Sequence, residues 1–260
     1  MITKLERNKT FLCEATFESV QSIQAKVATQ WLEGSCDDIL EIGCSTGYFT
    51  KVLKNKGKNV CGVDINADHI ELAQRKYPRI RFQTCDASGL PFSDESFDVV
   101  LMLEVLEHVQ DEVRIISEIY RVLKDGGTLI MSVPNSGLFS FLDPFNVKMK
   151  LKHILPGVCS VLSRVENTQF RENMSYHRHY SLEQLKLMLQ GKFNIKKVYR
   201  GGLLAFPICS AIQSVFSRVT RFEAPKILMQ KAMNMDGSVK FGPLSYNLII
   251  MCRKINNRVP

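Results

Sequence analysis

The residues Ile39-Leu40-Glu41-Ile42-Gly43-Cys44-Ser45-Thr46-Gly47 carry an apolar strand through a carboxylate into a turn punctuated by two glycines. Such a turn lets main chain touch a ligand. Gly43 and Gly47 have no Cβ and accept dihedrals closed to other residues where a parallel strand hands over to its helix. A second apolar run, Val60-Cys61-Gly62-Val63-Asp64, ends in a carboxylate about 20 residues on, where a doubly wound sheet places its ribose-binding acid. Together the two signals point to a nucleoside. Its phosphates are excluded by what is missing. Ser45 and Tyr48 stand where a dinucleotide fingerprint has its second and third glycines, and Tyr48-Phe49 follow Gly47 where a P-loop needs Lys-Ser/Thr. An adenosine ligand without phosphates remains.

Three further motifs follow in order. The run Ile80-Arg81-Phe82-Gln83-Thr84-Cys85 leads to Asp86-Ala87, then to Leu90-Pro91-Phe92 and Ser96-Phe97-Asp98-Val99-Val100. Next comes Leu101-Met102-Leu103-Glu104-Val105-Leu106-Glu107-His108-Val109, and then Arg121-Val122-Leu123-Lys124-Asp125-Gly126-Gly127 before Thr128 to Asn135. With the glycine turn, this series resembles the class I S-adenosylmethionine-dependent methyltransferases, in particular their ubiquinone-biosynthesis-like (type 11) group, over about the first half of the chain. The resemblance implies an α/β, Rossmann-like doubly wound sheet of seven strands, mostly parallel with an antiparallel last strand. It implies S-adenosylmethionine as cofactor. Gly43 to Gly47 would pass the methionyl end, Asp64 would accept both ribose hydroxyls, and Asp86 would hold the adenine amino group. Glu41, Cys44, Ser45, Ile65, Ala87 and Glu104 complete the expected cofactor contacts. Ser45 replaces the middle glycine of the common family pattern, which leaves the shape of the loop open.

Methylation of a hydroxyl requires that the hydroxyl lose a proton, so a base or a metal is expected near the acceptor. His108, His177 and His179 are the candidate bases, each with packing or loop anchoring as the competing reading. Glu104-x-x-Glu107-His108 is similar to a divalent-metal site of ubiquinone-biosynthesis O-methyltransferases and small-RNA 2′-O-methyltransferases, with His177 or His179 as a further ligand. Many family members carry the pattern with no metal known, and Glu107 could instead cap a helix N-terminus. His69 and His153 read as surface residues.

Scaffold elements are legible around these motifs. Val20, Ile23, Val27 and Trp31 predict a helix over residues 17–31 beside strand one. Helices are expected over 67–77, stopped by Pro78, over 113–124, ended by Asp125-Gly126-Gly127, and over 181–190 with Ser181 as N-cap. Residues 193–199 and 246–252 supply two closing strands.

The chain of 260 residues fits one domain, with segments at about 136–180 and 202–244 that exceed the minimal fold and read as substrate or lid insertions. The first holds Phe139, Phe141, Leu142, Phe145, Val147 and Met149 among Lys148, Lys150 and Lys152. The second places Ile208, Ile212, Val215, Phe216 and Val219 on one helical face near Arg218, Arg221 and Lys226. Either segment suits a lid over the pocket or an amphipathic surface on an anionic membrane. Charge is uneven: residues 1–135 carry about −5 and residues 136–260 about +13. That asymmetry fits an anionic partner or a solvated basic face.

Eight cysteines without a C-x-x-C pair read as thiols in a reducing compartment. Neither a signal-peptide core nor an apolar run of roughly 20 residues is present. A cytoplasmic protein, or one peripheral to a membrane, is expected. The reading favoured by these residues is O-methylation of a small molecule such as a quinone precursor, lipid or glycan. An RNA methyltransferase and a cofactor-binding protein without catalysis are the alternatives; the former lacks a recognisable RNA-binding module.

Overall fold

The computed structural model describes residues 22–32, 36–137, 178–203 and 223–256, with main chain only for 223–230. The stretches 139–152 and 208–221, together with His153, His177, Cys13, Cys159 and Cys209, lie outside the described residues. In chain order the elements are α1 (Ile23–Trp31), β1 (Cys36–Ile42), α2 (Tyr48–Leu53), β2 (Gly57–Asp64), α3 (Ala67–Lys76), β3 (Arg81–Thr84) and β4 (Phe97–Leu103). A 3₁₀ turn (Leu106–His108) precedes α4 (Glu112–Val122) and β5 (Leu123–Pro134). Then come α5 (Leu182–Leu189), β6 (Phe193–Gly201), α6 (Glu223–Ser238), a second 3₁₀ turn (Gly242–Leu244) and β7 (Asn247–Lys254).

The seven strands form one sheet in the order β3-β2-β1-β4-β5-β7-β6. β1 to β5 pair in parallel, and β7 runs antiparallel to both β5 and β6. Side chains of a strand alternate between faces, so neighbouring residues enter different cores. Leu40, Ile42, Val100, Met102, Leu129, Met131 and Ile250 pack on one face with Ile115, Ile116, Ile119 and Val122 of α4 and with Leu185 and Leu189 of α5. Ile39, Val99, Leu101, Ile130 and Ile249 pack on the other with Val27, Ala28 and Leu32. A sheet covered on both faces needs nearly continuous apolar strands, as β7 shows from Leu248 to Cys252. Each fully buried Leu or Ile contributes about 1.5–3 kcal/mol of transfer free energy.

Helix starts follow local chemistry. Asn66 accepts from the Asp68 and His69 amides at the head of α3, and Asp111 accepts from the Arg114 amide at the head of α4. Ser181 and Gln184 form a reciprocal capping box at α5, in agreement with the expected N-cap. At the edge of the sheet away from the strand ends that matter below, Lys124 Nζ reaches Asp38 at 2.7 Å and Asp98 at 3.0 Å, tying β1, β4 and β5 together.

One junction differs from expectation. The helix before strand five ends at Val122 and the strand begins at once at Leu123, so Asp125-Gly126-Gly127 lies within β5 rather than forming a separate turn. The amides of Glu95 and Ser96 bind the Arg121 and Val122 carbonyls, and Lys254 Nζ binds the Leu123 carbonyl at 2.7 Å. These bonds draw the chain into the sheet early. The extra residues are absorbed by an irregularity in which Leu123 faces Phe97 while Thr128 faces Val99, with Gly126 at φ +67°.

Candidate cofactor and acceptor site

The strand order changes direction between β1 and β4, and open α/β sheets bind ligands in the crevice outside the carboxyl ends at that point. The turn after β1, Asp64 at the end of β2, Asp86 after β3 and Glu104 after β4 all sit on this edge. Gly43 N and Cys44 N both donate to the Val63 carbonyl, at 2.8 and 3.0 Å, which pins the turn to β2. Gly43, Ser45 and Gly47 all have positive φ, at +76°, +46° and +80°. A Cβ on Gly43 would overlap Val105 Cγ2, and one on Gly47 would stand 2.6 Å from the Phe82 ring. Ser45 thus adopts the left-handed conformation that the missing glycine would have supplied. It does so because its amide is held.

That amide donates to Asp64 Oδ2 at 2.8 Å, and the Asn66 amide donates to Asp64 Oδ1 at 2.9 Å. A carboxylate offers about four lone-pair sites. One on each oxygen therefore remains for two further donors, which suits the paired hydroxyls of a ribose. Asp86 Oδ1 accepts from Ser88 N at 2.8 Å on an exposed residue, and Ile65 is 61% exposed on the rim beside Asp64, with Ala87 half-buried. Cys44 is buried, its Sγ against the space beside Gly62, so its thiol faces the core and its main chain faces the turn. Burial pushes that thiol well above its ordinary range. His69, expected at the surface, is half-buried with Nδ1 3.4 Å from Ser45 Oγ.

The candidate catalytic residues cluster at the exit from β4. Glu104 has φ +55°; its amide lies 3.1 Å from Ser132 Oγ, and that hydroxyl donates to Glu104 Oε1 at 2.6 Å. Glu107 is buried in the 3₁₀ turn, and His108 Nε2 lies 3.8 Å from Glu107 Oε1 on a side chain 24% exposed. His179 packs edge-on to Tyr246 with ring centroids 6.2 Å apart. Among the described residues no group of three or more His, Cys, Asp or Glu side chains is arranged to hold a metal ion. The described Cys36, Cys44, Cys61, Cys85 and Cys252 are free thiols. No helix among the described residues is long and apolar enough to cross a membrane.

Residues 40–131 match the family described as a methyltransferase domain. Over this stretch the chain is similar to S-adenosylmethionine-dependent methyltransferases. A "probable S-adenosylmethionine-dependent methyltransferase" of Mycolicibacterium smegmatis is 34% identical over 116 residues, covering 43% of this chain and 45% of that protein. A demethylmenaquinone methyltransferase of Tropheryma whipplei is 28% identical over 159 residues, covering 59% and 64%. The alignments thus span less than half the length of the mycobacterial relatives. Among solved structures, a methyltransferase of Methanosarcina mazei superposes with a TM-score of 0.56 at 24% identity, covering 88% of this chain and 97% of that one. That likeness concerns the fold.

Within the matched residues the cradle fits S-adenosylmethionine: two positive-φ glycines where a Cβ would collide, a carboxylate with spare acceptor sites, and no third glycine for a pyrophosphate. Glu41 is placed differently from the other expected contacts. It is 5% exposed beneath the turn, where Thr50 Oγ1 donates to its Oε2. Burial pushes its carboxyl from 4.5 up to about 8; the Thr50 hydrogen bond opposes the shift and the Asp64 charge adds to it. The unfolded chain releases this proton near 4.5 while the folded domain keeps it until about 8. The native state therefore binds more protons between those values, and stability falls as pH rises through them. Glu41→Gln should flatten this decline in thermal denaturation between about pH 5 and 8; a decline as steep as that of the wild type would contradict it.

Thr50, Ser132 and Val105 escaped the sequence reading. Each acts on a partner from another element, and linear spacing carries no mark of such pairs.

Proposed function

We propose that the chain transfers a methyl group from S-adenosylmethionine to an oxygen of a small-molecule acceptor, with quinone precursors the first class to test. The observation that carries this reading is the phosphate-free adenosine cradle of Gly43 to Gly47 and Asp64 at the point where the strand order reverses. Similarity to a demethylmenaquinone methyltransferase favours a quinone-type ring over a glycan or lipid. The second half's positive charge suits an acceptor or surface that is anionic.

When bound, S-adenosylmethionine supplies an electrophilic methyl group on a sulfonium. The protein's part is then positional. Asp64 fixes the ribose and the glycine turn excludes side chains from the path of the ligand, so that the acceptor meets the methyl group in line. His108 stands at the carboxyl edge beyond β4; its imidazole would take the acceptor hydroxyl proton on Nδ1 while the Glu107 carboxylate, 3.8 Å from Nε2, steadies the resulting imidazolium. His179, across the same edge, is the alternative base.

Purified protein should methylate a quinone precursor in a screen that also includes lipid, glycan and RNA acceptors. His108→Ala or His179→Ala should lower kcat by about 10²-fold. Unchanged turnover in both variants would exclude His108 and His179 as the base. Methylation of RNA alone, or binding without turnover, would replace this reading.

A further inference from the structure

The segment Arg178-His179-Tyr180 meets the sheet at the end of β5 and docks onto the turn that follows β4. Tyr180 N donates to the Pro134 carbonyl at 2.9 Å, and Ser136 N donates to the Tyr180 carbonyl at 3.0 Å. Arg178 N donates to the Glu107 carbonyl at 3.2 Å. The buried Tyr180 hydroxyl lies 3.1 Å from the Leu106 carbonyl and 2.8 Å from Glu112 Oε1, and its single proton is shared between them. The Arg178 guanidinium closes the cluster on the same Glu112 oxygen. Burial, with the Glu112 carboxylate beside it, raises the phenol's pKa, so it remains a donor.

This cluster lies one step from the cofactor turn. Leu106 is fully buried, and its neighbour Val105 places Cγ2 in the space a Gly43 Cβ would fill. A displaced Leu106 carbonyl therefore moves the side chain against which the glycine turn rests. We propose that Tyr180, Glu112 and Arg178 act as positioning residues for the cofactor turn, coupling the segment at 178–180 through Leu106 and Val105 to Gly43.

The inference rests on the cofactor reading above. Removing the hydroxyl leaves the Leu106 carbonyl, among the described residues, with a 3.4 Å bond from Val109 N, and leaves the Glu112 carboxylate without one of its donors. Packing of the ring is retained by Phe. Interior turns relax when a buried acceptor loses its partner, and groups in one network couple non-additively.

The test is calorimetric titration with S-adenosylhomocysteine of the wild type, Tyr180→Phe, Glu112→Gln and the double variant, each with its Tm. We expect Kd to rise about five- to tenfold in each single variant, with the double variant little worse than either. Glu112 is partly exposed, so Glu112→Gln keeps the test decisive if Tyr180→Phe fails to fold. Kd unchanged in a folded single variant, or a lower Tm with unchanged Kd, would overturn the proposal and leave a packing role. Two effects that simply add would overturn the claim that the residues act as one unit. Failure of the wild type to bind S-adenosylhomocysteine would instead reject the cofactor reading.

Discussion

Gly43→Ala is expected to destabilise the domain by about 2–5 kcal/mol and to weaken cofactor binding at least tenfold. Two separate effects meet at this position. A residue with a Cβ at φ +76° carries a conformational cost of about 1–2 kcal/mol. The added methyl would also overlap Val105 Cγ2, and overpacking typically costs about 1–3 kcal/mol. Gly126→Ala separates the two. Gly126 has a similar φ of +67° with nothing within 4 Å of its would-be Cβ, so it should show the conformational cost alone, about 1–2 kcal/mol. Urea unfolding of both variants measures the difference. A Gly43→Ala chain no less stable than Gly126→Ala would mean that the contact between the two turns is not tight in solution.

Asp64→Ala should lower cofactor affinity by about 100-fold or more. Its carboxylate accepts two main-chain amides, Ser45 N and Asn66 N, and hydrogen bonds to a charged group are worth about 1.5–3 kcal/mol each. Losing it frees the left-handed Ser45 and removes the proposed acceptor for the ribose hydroxyls together. Asp64→Asn should fall between the two, because an amide presents one oxygen acceptor and turns a donor toward an N–H.

The sheet, and the strand-end positions of the residues proposed to hold the cofactor, were legible because they are written locally. Glycine, then a carboxylate at a strand end, then another carboxylate after the next strand is a pattern in which each residue acts where it stands. Gly43, Asp64 and Asp86 accordingly lie where the spacing placed them. Glu41 was legible as a carboxylate in the strand but not as a buried one, since its environment is set by Thr50, nine positions on. His69 looked superficial because nothing in its neighbourhood announces Ser45, which is brought beside it by the pairing of β1 with β2. The junction at Leu123 was misread for a related reason. Asp-Gly-Gly is strong turn chemistry, but main-chain bonds from Glu95 and Ser96 and the buried Lys254 hold the preceding residues in the sheet. Tyr180 was visible only as part of a His- and Tyr-rich stretch. Its role depends on Leu106 and Glu112, more than sixty residues away.

The proposed site for S-adenosylmethionine lies at the carboxyl ends of β1, β2 and β4. Calorimetric titration of the wild-type chain with S-adenosylmethionine and S-adenosylhomocysteine, beside Asp64→Ala, tests it most directly. Saturable one-to-one binding of both ligands by the wild type, lost or severely weakened in the folded variant, is the expected result. A folded wild-type chain that binds neither ligand, or an Asp64→Ala chain that binds both as well as the wild type does, would contradict it.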